Sequence, residues 1–362
     1  MDNLTHSLLA LTLARTRLGR ASPLATPALV VAANFPDLDV VVRAFGGSPA
    51  YLAYHRGITH AVLGVLVQVV VLTWLWHVLE RIVRKDDASP HAFGRGGPFL
   101  PVAAGLLTHP LLDLLNNYGL RPWLPFDGAW IYGDLVFVVD PWMWLLLGGA
   151  AALAGGRRVA GDVGWSIVAV ATTLLVFGVD EPRTPLALRV VWIPAVLTIA
   201  VLRARAALVG REGALLRTVA AVAAVYLAGL GLLRARAERL ALAEVTPRLY
   251  ADESIVTLVR SPRVADPRRW TIIVETEGRV LWEEIDVVEG RIDGREAAKG
   301  TDDPRVALAA ATAAGEKWRT FARVPLARVS AEGGREVVRL TDARYWFTDW
   351  CTVTVPLPPA KR

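Results

Sequence analysis

The sequence predicts a mainly α-helical fold, a polytopic membrane bundle followed by a small α+β extramembrane domain. Hydrophobic residues make up 54% of the 362 positions, and the mean hydropathy is +0.39. Such a composition is typical of a polytopic membrane protein. The charge distribution divides the chain: residues 241–362 hold 19 basic and 19 acidic residues, and residues 1–240 hold 21 and 15. We therefore expect a helical membrane domain over 1–240 and a soluble domain over 241–362.

Two short or broken apolar helices open the chain. Leu4–Leu18 is short, and Pro23–Val42 is interrupted at Pro36. Proline lacks a backbone donor and kinks or ends a helix. Asp37 and Asp39 are therefore expected on irregular backbone, which is tolerated at membrane depth only where it lines protein or water.

Six further apolar runs are predicted to be membrane helices, which gives eight hydrophobic helices in total. The runs are Ala61–Val78, Phe99–Asn116, Leu135–Ala154, Trp165–Val179, Leu186–Leu202 and Leu215–Leu233. The Leu135–Ala154 run contains an aspartate, Asp140, and a Gly/Pro-rich loop over 86–98 precedes the Phe99 run.

The basic residues of the loops predict the orientation of these helices. One alternating set of loops, at 15–20, 81–95, 157–158 and 203–217, holds 13 Lys and Arg, and the other set, at 43–56, 121 and 183–189, holds 5. The positive-inside rule places the first set in the cytoplasm. We therefore expect an inner (cytoplasmic) membrane protein of a bacterium or archaeon, without a cleavable signal peptide. Arg234, Arg236 and Arg239 oppose this topology unless they continue the last helix.

The last third of the chain has the pattern of a small α+β module. Five strands are predicted from β-branched content and turn signals, and one helix is predicted over Arg305–Trp318. The predicted strands are Ile255–Val259, Trp270–Glu275, Val280–Val288, Val337–Leu340 and Cys351–Val355.

Histidines and aspartates in or beside apolar runs indicate a metal site, because ionisable groups are costly in a membrane and usually functional. His109 and Asp113 are four residues apart, about 40° on a helix, so they share one face. His55 and His60 are five apart, roughly 140° on a helix, so we expect a turn at Gly57 between them. His77, at the cytoplasmic end of its run, is interpreted as a packed residue.

The predicted ligands gather at one end of the bundle, toward the non-cytoplasmic face. They are His6, Asp37, His55, His60, His109 and Asp113. Nitrogen and oxygen donors without cysteine suit Zn²⁺, or Mn²⁺ and Fe²⁺ where carboxylates dominate, and the one cysteine of the chain, Cys351, excludes a cysteine-based zinc site. A divalent ion of this kind activates water for hydrolysis.

Five further residues have more than one interpretation. Asp39, Asp134 and Asp140 could each be a general base, a further ligand or a helix cap. Arg56 and Arg121 could bind a phosphate or extend to the membrane interface.

These residues form motifs that resemble the YdjM/YbcI-type inner-membrane, metal-dependent hydrolases over roughly residues 1–200. The motifs are Asp2-Asn-Leu-Thr-His6, Asn34-Phe-Pro-Asp-Leu-Asp39, His55-Arg-Gly-Ile-Thr-His60, Thr108-His-Pro-Leu-Leu-Asp113 and Tyr132-Gly-Asp134. The resemblance implies a metal-dependent hydrolase, distantly similar to zinc-dependent phospholipase C and P1-type nucleases. Their His-x-x-x-Asp motif is matched by His109 and Asp113. Their His-x-x-x-Glu motif is missing, so one or two metals are expected rather than three.

The sequence therefore favours hydrolysis of a phosphoester at the membrane surface, with a membrane lipid or lipid-linked compound as substrate and no nucleic-acid partner. Two alternatives stay open. One is a transporter or ion-handling protein that uses intramembrane His and Asp. The other is a structural or regulatory membrane protein in which a metal only stabilises the fold.

Overall fold

The computed structural model describes residues 1–84, 92–94, 96–156, 159–179, 185–333, 335–346 and 348–357. Parts of the predicted loops at 81–95, 86–98, 157–158 and 183–189 lie outside the described residues. The chain forms two compact units that are interleaved in sequence. The helical unit contains Met1–Pro36, Ile58–Leu232 and Pro262–Pro267, and the C-terminal unit contains Asp37–Gly57, Leu233–Ser261 and Arg268–Arg362. The predicted domain boundary at residue 240 stays a prediction.

The predicted fold class is confirmed: apolar helices come first, and two small antiparallel sheets come after them. By length and composition, four helices in the described part of the chain could cross a membrane. These are Val62–Val83, Val159–Gly178, Leu186–Ala204 and Glu212–Arg248. The other four predicted hydrophobic helices form but have only 10 to 16 residues each, fewer than the about 20 that a membrane span needs.

The helical unit contains seven α-helices and the start of an eighth among its described residues. They are α1 Asn3–Leu13, α2 Ala25–Asn34, α4 Val62–Arg84, α5 Phe99–Leu114, α6 Pro141–Leu153, α7 Val159–Gly178, α8 Leu186–Ala204 and the first part of α9 Glu212–Val245. Helix α9 continues well past Leu233, so Arg234, Arg236 and Arg239 are its polar continuation.

The span predicted to begin at Leu135 begins later, at Pro141. Asp140 precedes the helix, with its side chain accepting from the backbone N–H groups of Trp142 and Met143. An aspartate at the cap position with proline at the first helical position is a strong helix start. Asp140 is thus a helix cap rather than a residue inside a span.

The interruption predicted at Pro36 is confirmed, but the segment after it differs from the prediction. Helix α2 ends at Asn34 and a 3₁₀ helix covers Phe35–Val41. Residues 43–56, predicted as a loop, instead form α3, Val42–Tyr54, with a kink at Gly47, where φ is 66°. Gly46, Gly47 and Pro49 are typical of a loop. The segment is helical because it belongs to the C-terminal unit and packs against another helix of that unit, α11, Ala313–Phe321.

Seven strands and three helices form the rest of the C-terminal unit among the described residues. The strands are β1 Ile255–Arg263, β2 Asp266–Thr276, β3 Arg279–Asp286, β4 Gly290–Ala298, β5 Pro325–Glu332, β6 Arg335–Asp342 and β7 Val353–Pro356; the helices are α3, α10 Pro304–Ala310 and α11. The strand orders are β1-β2-β3-β4 and β5-β6-β7. Strands β4 and β5 were not predicted. The predicted helix over 305–318 is divided because Thr312 caps α11 through its hydroxyl.

Candidate metal centre

Helix α5 presents two of the predicted ligands on one face. His109 and Asp113 are both fully buried, and His109 Nε2 lies 3.4 Å from Asp113 Oδ2. The four-residue spacing accounts for this geometry, since side chains at i and i+4 meet on a helix.

A close approach of α2 and α5 fixes the orientation of the His109 ring. At Gly105, one turn before His109, a Cβ atom would lie 2.7 Å from the carbonyl oxygen of Leu29 and 2.8 Å from the Cβ of Ala32. Glycine therefore lets the two backbones approach, as small residues do between membrane helices. His109 Nδ1 then reaches the carbonyl oxygen of Ala33, 2.6 Å away.

This contact determines which nitrogen of His109 carries the proton. A carbonyl oxygen only accepts hydrogen bonds, so Nδ1 must be the donor. In the neutral ring Nε2 then carries the lone pair. A histidine whose second nitrogen donates to a backbone carbonyl is the usual arrangement in protein metal sites.

His60 brings a second imidazole to the same point from the turn that precedes α4. Its Nε2 lies 3.0 Å from His109 Nε2 and 3.4 Å from Asp113 Oδ2. Its Nδ1 lies 2.9 Å from the Thr59 hydroxyl. His60 is 1% exposed, so these polar atoms meet in a site without bulk water.

The separations match those between ligands of one metal ion. Zn–N and Zn–O bonds of about 2.0–2.1 Å in a tetrahedron place neighbouring ligand atoms roughly 3.3 Å apart. His60, His109 and Asp113 offer ligand atoms within 4.8 Å of one another, and their closest pairs are 3.0–3.4 Å apart. The donors and their spacing therefore fit a divalent metal.

Two N-terminal groups complete the surroundings of the Asp113 carboxylate. The His6 ring stacks on the His109 ring, with centroids 3.9 Å apart, and His6 Nε2 lies 3.4 Å from Asp113 Oδ1. The amino nitrogen of Met1 also contacts Asp113 Oδ1. The site in the helical unit is thus centred on Asp113, with three imidazoles around it.

A second cluster lies in the C-terminal unit and is formed by Asp37, Asp39 and His55, whose ligand atoms lie within 4.8 Å of one another. His55 Nδ1 is 2.7 Å from Asp39 Oδ1, and the backbone N–H of Arg56 donates to Asp39 Oδ2 at 3.1 Å. Since an ionised carboxylate only accepts, His55 donates through Nδ1 and its Nε2 is left with a lone pair. Asp39 therefore orients His55, as carboxylates do for metal-ligating histidines.

The surroundings of this cluster hold it in place. Tyr51, one turn before His55 on α3, stacks on the imidazole with centroids 4.6 Å apart. Burial raises the pKa of the Tyr51 phenol, so it stays neutral. Arg56, not Gly57, is the residue with left-handed backbone, with φ of 56°. Non-glycine residues rarely adopt this conformation, and it concentrates at functional sites.

Three further predicted site residues, Arg121, Asp134 and Asp140, lie in the helical unit. Both carboxylate oxygens of Asp140 are engaged, because Oδ1 accepts from the α6 backbone and Oδ2 accepts from the Tyr226 hydroxyl at 2.8 Å. Asp134 is buried, with φ of 49°. The Arg121 guanidinium packs over the Trp130 ring at 4.8 Å. The capping role of Asp140 is established, and catalytic roles for these residues stay predictions.

The predicted site residues thus fall into two groups. His6, His60, His109 and Asp113 meet in the helical unit, and Asp37, Asp39, His55 and Arg56 belong to the C-terminal unit. That six residues share one metal stays a prediction. The sequence did not predict two contacts of the clustered histidines, that of His109 with the Ala33 carbonyl and that of His60 with the Thr59 hydroxyl. A backbone carbonyl leaves no signal in the sequence, whereas the position of Thr59 next to His60 is such a signal.

Comparisons with known proteins agree with the membrane assignment. A protein-family model described as YdjM inner membrane protein matches residues 1–184. An uncharacterized protein of Bacillus subtilis (strain 168), YfhP, is 26% identical over 135 residues, which cover 36% of this chain and 37% of that protein. The chain therefore matches little more than a third of this relative's length. No solved structure matches the chain.

Proposed function

The chain belongs to the YdjM inner membrane protein family, and we propose that it is a membrane-bound, metal-dependent hydrolase of phosphoesters. Family membership establishes that the chain is a membrane protein. The buried His/Asp cluster supports metal binding, and hydrolysis is the additional step that we propose.

One observation carries this proposal. His60 Nε2 and His109 Nε2 face each other at 3.0 Å, and each lies 3.4 Å from Asp113 Oδ2. Two imidazole nitrogens and a carboxylate oxygen gathered at one buried point are the donor types of a Zn²⁺ site. Mn²⁺ and Fe²⁺ are the alternatives where carboxylates contribute more.

The residues around the metal have distinct roles in the proposal. His60, His109 and Asp113 hold the metal, with His6 as a further donor next to Asp113. A bound divalent ion would activate water and polarise a phosphoryl oxygen. In the second cluster Asp37 and His55 would be ligands, Asp39 would fix the His55 ring, and Arg56 would stabilise negative charge on a phosphate.

A lipid or lipid-linked phosphoester is the proposed substrate class. The residues of both clusters lie in or between apolar helices in the sequence, and the loop charges predict that they are near the non-cytoplasmic surface. A substrate head group at the bilayer edge would be accessible to a site in that position.

The test is elemental analysis of the purified protein together with a phosphoesterase screen on a panel of lipid and soluble phosphoesters. We expect bound divalent metal and an activity that chelation abolishes and added metal restores. His60→Ala and His109→Ala should each lose the metal and the activity. His77→Ala is the matched control, since it removes an imidazole from α4 outside either cluster. Full metal content in both cluster variants would overturn the proposal.

Complete burial of the cluster favours a second candidate, a structural metal. His60, His109 and Asp113 are at most 1% exposed, and structural zinc sites are closed whereas catalytic ones keep an open position. A structural ion would stabilise the protein without turnover. A metal that raises the unfolding temperature, in a protein inactive on the whole panel, would favour this candidate over the hydrolase.

A further inference from the structure

An arginine in the C-terminal unit lies on the inner face of a sheet, where a charge is unusual. In the pairing of β3 with β4, Arg295 is opposite Trp282, and Ala297 is opposite Val280. Val280 and Trp282 are core residues against which Ala297 packs. Residues two apart on a strand share a face, so Arg295 faces the same interior.

The guanidinium of Arg295 has aromatic neighbours and no acidic partner in the described part of the chain. It packs over the ring of Trp282 at 4.5 Å and against the ring of Trp346. Its Nη2 atom is buried without a hydrogen-bond partner among the same residues. Burial lowers the pKa of Arg295 from 12.5 to about 10. A buried donor left without an acceptor carries a desolvation cost, which an acceptor bound beside it would offset.

A cavity of 430 Å³ lies beside this guanidinium, between the two sheets, and Arg328, Arg339 and Thr341 also line it. This volume is within the usual range for small-molecule sites, about 300–1,000 Å³. Walls of tryptophan and arginine suit a ligand with both an apolar part and a negative charge.

The charges of the cavity wall leave a positive excess. Arg339 pairs with Asp349 at 2.7 Å, and Glu296 pairs with Arg279 at 2.9 Å. Within the described residues, Arg295 and Arg328 form no ion pair. Arginine presents a planar fork of donors that matches carboxylate and phosphate oxygens.

We propose that this inter-sheet cavity is a binding site for a small organic oxyanion, a carboxylate or a phosphate ester. Arg295 donates to the oxyanion, Arg328 adds charge at the rim, and the apolar part of the ligand packs on Trp282 and Trp346. The proposed site shares no residue with the metal clusters, and it stands whether or not the protein is a hydrolase.

The test is isothermal titration of the full chain in detergent, in the presence of a chelator so that no metal contributes to anion binding. The probes are inorganic phosphate, glycerol phosphate and citrate, with chloride as the reference anion. We expect saturable binding of at least one oxyanion, and the order of the three affinities separates phosphate from carboxylate recognition.

Three variants make the result specific. Arg295→Gln should weaken binding at least tenfold, and Arg328→Gln, at an exposed position, should weaken it severalfold in a protein that folds normally. Arg305→Gln is the matched control, because Arg305 is a partly exposed arginine of the same unit that pairs with Asp303 and Glu336. No saturable binding by the unaltered protein would overturn the proposal, as would equal weakening by Arg305→Gln.

The stability of Arg295→Gln separates a binding role from a structural one. Arg295 is half-buried, and removing a charge that has no ion-pair partner among the described residues should leave the unfolding temperature unchanged or slightly higher. A large fall in the unfolding temperature, with oxyanion binding intact in Arg328→Gln, would mean that Arg295 only braces the two tryptophans and would overturn the proposal.

Discussion

His60 and His109 face each other through their Nε2 atoms at 3.0 Å, although 49 positions separate them in the chain. The Nδ1 atom of His109 donates to a backbone carbonyl, so its Nε2 has the lone pair. The tautomer of His60 decides what lies between the two atoms: a proton on His60 Nε2 makes a hydrogen bond, whereas a proton on its Nδ1 leaves two lone pairs that a cation beside the Asp113 carboxylate would bridge. This pair is the part of the molecule that most directly predicts metal binding.

Gly105→Ala should disturb the metal site without touching a ligand. The added methyl group would lie 2.7 Å from a backbone oxygen of α2, so α2 and α5 must move apart. We expect a loss of about 1–3 kcal/mol of stability, as for other overpacked interiors, and weaker metal binding because His109 loses the Ala33 carbonyl. Thermal unfolding in detergent and elemental analysis measure the two effects.

Gly164→Ala is the matched control for this change. Gly164 is also inside a candidate span, α7, but apart from its own helix backbone no atom of the described residues lies within 4 Å of its added methyl group. Alanine in a helix interior is better than glycine by roughly 0.5–1 kcal/mol, so this variant should be neutral or slightly stabilised. Equal destabilisation of both variants would mean that the α2–α5 approach has no special role.

Much of the helical unit could be predicted from the sequence. Long apolar runs give membrane helices because the bilayer requires about 20 apolar residues, and His109 and Asp113 share a face because of the helical period. Helix α3 could not be predicted in this way. Its 13 residues contain Gly46, Gly47 and Pro49, which are loop signals, and the packing that makes them helical comes from α11, far along the chain.

The environment of Arg295 shows the same limit for the sheets. Strand β4 contains two glycines and several charged residues, so its pattern lacks the apolar alternation of a half-buried strand. Its pairing with β3 makes it a strand and turns Arg295 inward. Only the pairing of β3 with β4, which the sequence alone does not reveal, shows that the Arg295 side chain faces Trp282.

Asp39→Asn should weaken metal binding in the second cluster without abolishing it. An amide has one acceptor oxygen, so either the His55 ring or the Arg56 backbone N–H loses its partner. We expect metal affinity to fall about tenfold to a hundredfold, as for other residues that orient a ligand, with full occupancy restored by excess metal. Metal titration measures this change.

Asp127→Asn is the control for Asp39→Asn, since Asp127 lies in an exposed turn and accepts from the backbone of Ala129. It should bind metal normally. If Asp39→Asn takes up no metal at saturating concentration, Asp39 is itself a ligand and the positioning role is wrong.

Asp140→Ala tests whether this aspartate is only a helix cap. Loss of an N-cap side chain costs about 1 kcal/mol, and the Tyr226 hydroxyl also loses its acceptor. We expect lower thermal stability with unchanged metal content, and Tyr226→Phe should give a smaller loss of stability. A collapse of metal content or of hydrolytic activity in a folded Asp140→Ala protein would instead assign Asp140 to the site.

The Glu253–Arg279 ion pair predicts a pH dependence of stability in the C-terminal unit. Arg279 donates to both oxygens of Glu253, at 2.9 and 2.7 Å. This pairing lowers the pKa of Glu253 from 4.5 to about 2. A carboxyl group whose pKa is lower in the folded state stabilises the protein at pH values above its unfolded pKa. The stabilisation should therefore be complete above pH 4.5 and disappear as the pH falls toward 2.

Glu253→Gln removes this contribution and should cost about 1 kcal/mol at neutral pH, since the pair is only partly shielded from solvent. Chemical unfolding in detergent, measured from neutral pH down to about 3, should show the difference from the unaltered protein becoming smaller with acidity. Glu332→Gln is the control, because Glu332 is exposed and forms no ion pair among the described residues. A constant difference at every pH would show that Glu253 stabilises the unit through packing rather than through its charge.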